Sequence, residues 1–137
     1  MEQKSKEKNV VDNNERSRPV SNGMKYTIDA ENKKIGRVAT QAAVFLMGKN
    51  MPSFKRNVAP QVTVEIKNAS KASIDEKKKS QKTYSRYSGY PGGLKKPTMT
   101  EVIGKKGYSE LFREAVRGML PKNKLRSKMI KNLIIKE

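Results

Sequence analysis

The sequence has 137 residues, 31 Lys+Arg against 13 Asp+Glu and no histidine, a formal charge of +18 that fits one modest domain with a polyanionic partner. The absence of cysteine excludes disulfides, thiolate metal sites and thiol nucleophiles, and the absence of histidine removes the usual general base and nitrogen ligand of zinc. A serine with a lysine base, or paired carboxylates, is the catalytic chemistry left open, so the expectation is a protein that is not an enzyme and takes no metal, cofactor or small-molecule substrate.

Residues 1–23 hold five basic and four acidic residues, with Val10, Val11 and Val20 as their large apolar side chains. Such a segment cannot offset its ordering entropy by burial, which predicts a disordered N-terminal extension. It also lacks the apolar centre of a secretory signal, and the longest apolar run of the chain, residues 42–47, is far short of the roughly 20 residues of a membrane-spanning helix. A cytoplasmic protein without a membrane partner is therefore expected. Residues 24–137 carry 26 basic against 9 acidic residues, a net +17, and form the single predicted domain.

Within that domain Tyr26 and Ile28 alternate with Thr27 and Asp29, a short strand pattern running into a polar turn. Ile35, Val38, Ala39, Ala42, Ala43, Leu46 and Met47 recur at three and four, predicting a helix that stops near Gly48 with Arg37 on the flank of its apolar stripe. Val62, Val64 and Ile66 alternate with Thr63 and Glu65 as a second strand, and Asn68 permits a turn. Residues 84–88 read as another extended segment before a Gly/Pro loop. Thr98 and Glu101 have capping-box spacing for a helix ending near Gly104 or Gly107, and Ser109 is placed to cap the next, whose apolar face is Leu111, Phe112, Ala115, Val116 and Met119. Pro121 ends it, Asn123 is placed to cap a short last helix, and residues 133–135 read as a terminal strand. Strands alternating with helices predict an α/β domain with a mainly parallel sheet.

Two basic tracts carry the functional signal. Residues 77–96 contain seven basic residues and no acidic one, Lys82, Arg86, Lys95 and Lys96 among them, interleaved with Tyr84, Tyr87 and Tyr90 and with glycines at 89, 92 and 93. Lysine and arginine neutralise phosphates, tyrosines stack on bases, and glycines let backbone amides approach a phosphate. The plainer alternative is a charged surface hairpin with ordinary turn glycines. Residues 117–136 add Arg117, Lys122, Lys124, Arg126, Lys128, Lys131 and Lys136, with enough apolar residues between them to anchor a folded basic face. A basic amphipathic membrane helix is disfavoured because Pro121 interrupts the tract. Gly48-Lys49-Asn50 lacks the first glycine and the Ser/Thr of a phosphate-binding loop, and Asp75-Glu76 reads as solvated charge.

The runs Ile35-Gly36-Arg37-Val38-Ala39, Tyr87-Ser88-Gly89-Tyr90-Pro91-Gly92-Gly93-Leu94-Lys95 and Ala115-Val116-Arg117-Gly118-Met119-Leu120-Pro121-Lys122-Asn123, in this order, resemble the bacterial large-subunit ribosomal protein thirteen family. The resemblance spans residues 25–135. It implies a three-layer α/β/α fold with a mainly parallel four-stranded sheet, and a structural constituent of the large ribosomal subunit that binds large-subunit ribosomal RNA, helps its early assembly and neighbours other large-subunit proteins. It also implies an RNA-binding set: Arg37 and Lys49 on and after the first helix, Gly92, Gly93 and Lys95 in the glycine-rich loop, and Arg117, Lys122, Lys124 and Arg126 in the C-terminal signature. Lys55, Arg56, Lys82, Arg86, Tyr87, Tyr90, Lys96 and Lys128 join that set as basic or aromatic residues beside it. Gly118 is expected to serve close packing or an unusual backbone angle. Three departures from the family pattern mark this sequence: Tyr26 in place of Trp, Ala59-Pro60-Gln61 in place of a Gly-Asp step, and Ile74-Asp75-Glu76-Lys77 in place of Thr-Gly-Lys-Lys. The family's Tyr-Gly and His-rich tail is also missing after Glu137. The competing function is a free-standing RNA or DNA chaperone that binds by charge alone.

Overall fold

The structure, a computed structural model, describes residues 23–137; the extension expected over residues 1–23 lies, apart from Gly23, outside them. Strand β1 (Met24–Asp29) buries Ile28 and half-buries Tyr26 on one face. Helix α1 (Ile35–Met47) buries Ile35, Val38, Ala39, Ala42, Ala43 and Leu46, the stripe its three-and-four spacing dictates. It ends at Gly48, whose φ of 72° places it in the left-handed region while its N–H returns to the Phe45 carbonyl at 2.9 Å. The Tyr26 ring stacks on Phe45 with centroids 4.5 Å apart, tying β1 to α1.

Strand β2 (Val62–Lys67) follows, then a 3₁₀ turn (Ala69–Lys71) entered through Asn68 at φ 56°. Asn68 donates its side-chain amide to the Asp29 carboxylate at 2.9 Å. Helix α2 (Glu76–Gln81) buries no residue. Strands β3 (Arg86–Tyr87) and β4 (Leu94–Lys95) pair antiparallel as a hairpin. Helix α3 (Met99–Met119) buries Met99, Leu111, Phe112 and Val116, with Thr98 accepting from the Glu101 N–H at 3.4 Å as the capping spacing predicts. Helix α4 (Leu125–Lys131) is capped by Asn123, whose Oδ1 accepts from the Arg126 N–H at 3.1 Å. Strand β5 (Leu133–Ile135) closes the fold.

The three long-range strands form one parallel sheet in the order β1-β2-β5, with Ile28 beside Ile66 and Val64 beside Leu133. Both crossovers step in the same direction, so right-handed connections carry all the helices to one face. Burial agrees: Ile28, Val62, Val64, Ile66 and Leu133 are closed off on that face, whereas Lys25, Thr27, Asp29, Lys67 and Ile134 are exposed on the other. Among the described residues the sheet thus has three strands, not the expected four. The fourth strand is lost because the segment at 84–88 pairs locally, Arg86 opposite Lys95, across its glycine-rich turn.

The expected break at Gly107 is present: with φ 75° and ψ −179° it divides α3 into two helices that meet at a kink. Two further expectations are corrected. Ser109 does not cap the second half with its hydroxyl; its N–H donates to the Glu137 carboxylate at 3.0 Å, and a Cβ on Gly107 would collide with that carboxylate. Gly118 is neither in the left-handed region nor crowded, since a Cβ there meets nothing within 4 Å.

On the open face the Glu65 side chain, only 4% exposed, accepts from Lys25 Nζ at 2.7 Å and from Lys136 Nζ at 3.0 Å. The Lys25 hydrogen bond, which outweighs burial, and that from Lys136 hold its carboxyl below the ordinary range.

Candidate nucleic-acid interface

The basic residues singled out by sequence come from segments up to forty positions apart, and the fold gathers several of them into one groove of about 1030 Å³. One wall is the hairpin approach, with Tyr84, Ser85, Arg86 and Tyr87; the floor is the outer side of α3; the second wall is Asn123, Lys124, Arg126 and Ser127 of α4 and its cap. Arg86, Tyr87, Arg117, Lys124 and Arg126 therefore converge. Beyond the break at Gly107, Glu110, Arg113, Glu114 and Arg117 are spaced three or four apart and point the same way along the floor, and Lys106, before the break, joins them through its ion pair with Glu110.

Sequence reasoning missed Lys106, Arg113, Glu110 and Glu114. The signal was present: charged residues at this helical spacing flank the apolar Leu111, Phe112, Ala115 and Val116 and must face outward.

The floor is an ion-pair lattice. Arg86 reaches Glu110 at 3.2 Å and Glu114 at 3.7 Å, Lys106 reaches Glu110 at 3.2 Å, and Arg117 reaches Glu114 at 3.7 Å. The Glu110 side chain is 17% exposed, while Arg86 and Arg117 remain more than half exposed. Burial pushes the Glu110 carboxyl up, but hydrogen bonds from Lys106 and Arg86, with the charges of Lys106 and Arg113, hold it below the ordinary carboxylate range. It stays ionised at neutral pH. Burial, followed by the nearby Glu114 charge, raises the Tyr84 hydroxyl above its ordinary value.

The three tyrosines of the first basic tract separate. Tyr84 packs against the core with Lys82 Nζ 5.3 Å from its ring centroid, so its aromatic face serves the fold. Tyr87 and Tyr90 are 66% and 75% exposed and remain available to stack. Gly89 and Gly92 take φ of 88° and 75° at the hairpin tip, and a Cβ on Gly93 would collide with the Ser88 hydroxyl. These glycines are required by the turn itself.

A second, smaller hollow of about 330 Å³ brings Lys49, Lys55 and Arg56 beside Pro121 and Asn123. A third, of about 420 Å³, collects Lys95, Lys96, Lys105 and Lys106 on the other side of Arg86. Arg37, Lys82, Lys122 and Lys128 are exposed but line none of these three. Among the described residues no group of three or more His, Cys, Asp or Glu side chains is placed to hold a metal ion, and no helix is long and apolar enough to cross a membrane.

The large ribosomal subunit protein uL13 of Citrifermentans bemidjiense is 46% identical over 110 residues, covering 80% of this chain and 77% of that protein. The uL13 proteins of Clostridioides difficile and Thermus thermophilus are each 44% identical, over 108 and 106 residues, covering 79% and 77% of this chain and 75% of each relative. The family model for ribosomal protein L13 matches residues 24–136, from the first residue of β1 through β5 and across every wall of the groove. The chain belongs to the ribosomal protein L13 family.

Proposed function

We propose that this domain is a structural, non-catalytic constituent of the large ribosomal subunit, located in the cytoplasm, which binds large-subunit ribosomal RNA, assists its early assembly and sits beside other large-subunit proteins. The observation that carries the RNA reading is the convergence of Arg86, Arg113, Arg117, Lys124 and Arg126 from three chain segments on one groove, with Tyr87 exposed at its rim. The names of the uL13 relatives supply the ribosomal setting. Guanidinium and ammonium groups spaced along such a groove neutralise successive phosphates and release their counterions, while Tyr87 and Tyr90 offer flat faces to unpaired bases. Lys49, Lys55 and Arg56 on one side and Lys95 and Lys96 on the other extend the track beyond the groove, and Arg37, Lys82, Lys122 and Lys128 give further phosphate contacts. The glycines at 92 and 93 shape the hairpin tip that carries Tyr90.

Titration of the full chain with large-subunit ribosomal RNA at several salt concentrations tests this. For about 6 to 10 contacted phosphates, log K against log salt has a slope of about −4 to −9; a slope shallower than about −2 refutes the electrostatic reading. Arg117→Ala is expected to leave thermal unfolding nearly unchanged, because the guanidinium is 54% exposed, while reducing the magnitude of the slope by about 1. Comigration with the large subunit through a high-salt wash separates a fixed ribosomal site from a chaperone that binds by charge alone.

A further inference from the structure

The groove floor is not purely basic, and its two acids are placed where they weaken a polyanion site most. Glu110 and Glu114 stand one turn apart on α3, and each bridges two cations: Glu110 takes Arg86 and Lys106, and Glu114 takes Arg86 and Arg117. Arg86 comes from the hairpin, so the two carboxylates also hold that wall against α3. A chain of +18 binds any polyanion, and selectivity then requires something that penalises the wrong one.

We propose that Glu110 and Glu114 are positioning and selectivity residues of the RNA groove: they fix the guanidinium groups of Arg86 and Arg117 in one orientation and repel phosphates that do not approach along it. This rests on the RNA-binding reading. The geometry supports it in two ways. Both arginines keep more than half of their side-chain surface accessible while paired, so each offers its remaining N–H groups to a phosphate on the solvent side. The carboxylates lie deeper, with Glu110 at 17% and Glu114 at 33% exposed, so a phosphate that displaced them from the arginines would be drawn towards two negative charges. A backbone whose phosphates match the outward N–H directions gains a preset fork without meeting the acids. A flexible polyanion with arbitrary spacing pays the repulsion.

The test compares full-length large-subunit ribosomal RNA with polyuridylate as probes, using the full chain, Glu110→Gln/Glu114→Gln, Glu114→Gln alone, and Glu31→Gln/Glu76→Gln as a variant of equal charge change outside the groove. Glutamine keeps the shape and an acceptor oxygen, and thermal unfolding of each variant is recorded. The expected result is polyuridylate binding strengthened about three- to tenfold by the double groove variant, as for two carboxylates removed from a partly screened surface. Ribosomal RNA affinity should stay level or fall, and the control should shift both probes by less than about twofold. The single Glu114→Gln variant moves the same ratio in the same direction, which keeps the test decisive if the double variant unfolds. Equal strengthening of both probes, or an equal effect from the control, overturns the proposal in favour of simple net charge. An unchanged ratio overturns it in favour of a purely structural staple. If the wild-type protein itself shows neither preference for ribosomal RNA nor a steep salt slope, the RNA-binding reading fails, and the selectivity role fails with it.

Discussion

Glu65 and the pair Glu110/Glu114 are built from the same parts, carboxylates bridging cations that come from different elements, yet they belong to different regions of the molecule. Glu65 sits in the middle of the central strand with only 4% of its side chain exposed, and its lysines come from β1 and the residue after β5, the two flanking strands. The groove acids sit on a helix surface, and the arginines they hold stay more than half exposed. The difference is what lies beyond the cation. Around Glu65 the pairing completes a fold, laterally stitching three parallel strands; around Glu110 and Glu114 the cations have a solvent side left over to spend on a ligand.

The largest effect should come from breaking the first cluster. In Lys25→Met/Lys136→Met, Glu65 keeps its burial and loses both lysine partners, and denaturant unfolding at pH 7 should show a loss of about 2 to 3 kcal/mol, the low end for a stranded buried charge because the lysines are half exposed. The pH dependence should also reverse. In the wild type the lowered carboxyl adds stability that is present above its unfolded value of about 4.5 and is lost as pH falls through its lower folded value. In the double variant burial acts alone and raises the folded value, so stability should fall as pH climbs through and above 4.5. A pH profile parallel to wild type would sink this account.

Next in size is Gly107→Ala. The φ of 75° and the Glu137 carboxylate packed where Cβ would lie predict a loss of about 1 to 2 kcal/mol in thermal unfolding. Tyr84→Leu should follow at about 1 kcal/mol, as a half-buried ring is trimmed, whereas Tyr90→Leu should leave the melting temperature in place and weaken RNA binding alone. Equal melting losses for both tyrosines would erase the distinction between a core-packed tyrosine and one exposed at the hairpin tip. The smallest effect is expected at Gly118→Ala, a gain of about 0.5 to 1 kcal/mol from helix propensity at an uncrowded helical position.

How much of this was legible in the sequence depended on whether the signal was periodic. Strands β1 and β2 declare themselves by spacing two, helix α1 by spacing three and four, and β5 as a short continuous apolar run, while Gly48, Asn68 and Asn123 act where their turn chemistry predicts. Helix α2 has no apolar residue to repeat; Glu76 through Gln81 are favourable helix formers that bury nothing, so propensity alone could have found it. The count of strands was overestimated because an extended segment followed by a glycine-rich turn reads identically whether it pairs with the sheet or with its own return strand. The site was legible in its cations and illegible in its anions. Arg86, Arg117, Lys124 and Arg126 stand out in a basic tract, while Glu110 and Glu114 acquire meaning only when β3 is brought across α3. Gly118 misled because a glycine beside a helix end suggests a special backbone angle, and that angle belongs to Gly107, eleven residues earlier.

The pairing of β2 with β5 joins Val64 to Leu133, and the Glu137 side chain caps a helix that restarts near Ser109. During synthesis the amino-terminal half emerges from the exit tunnel long before these partners exist. Until residues 133–137 have been made, β2 has an unpaired edge, Glu65 has one of its two lysines, and the second half of α3 lacks its cap. Closure of such distant contacts is slow compared with local helix formation, so the domain completes itself after translation of its last strand. The second wall of the groove, α4, is translated just before that strand and docks on α1, α3 and β5. The groove described above therefore gains its second wall only when the contacts that close the sheet also form.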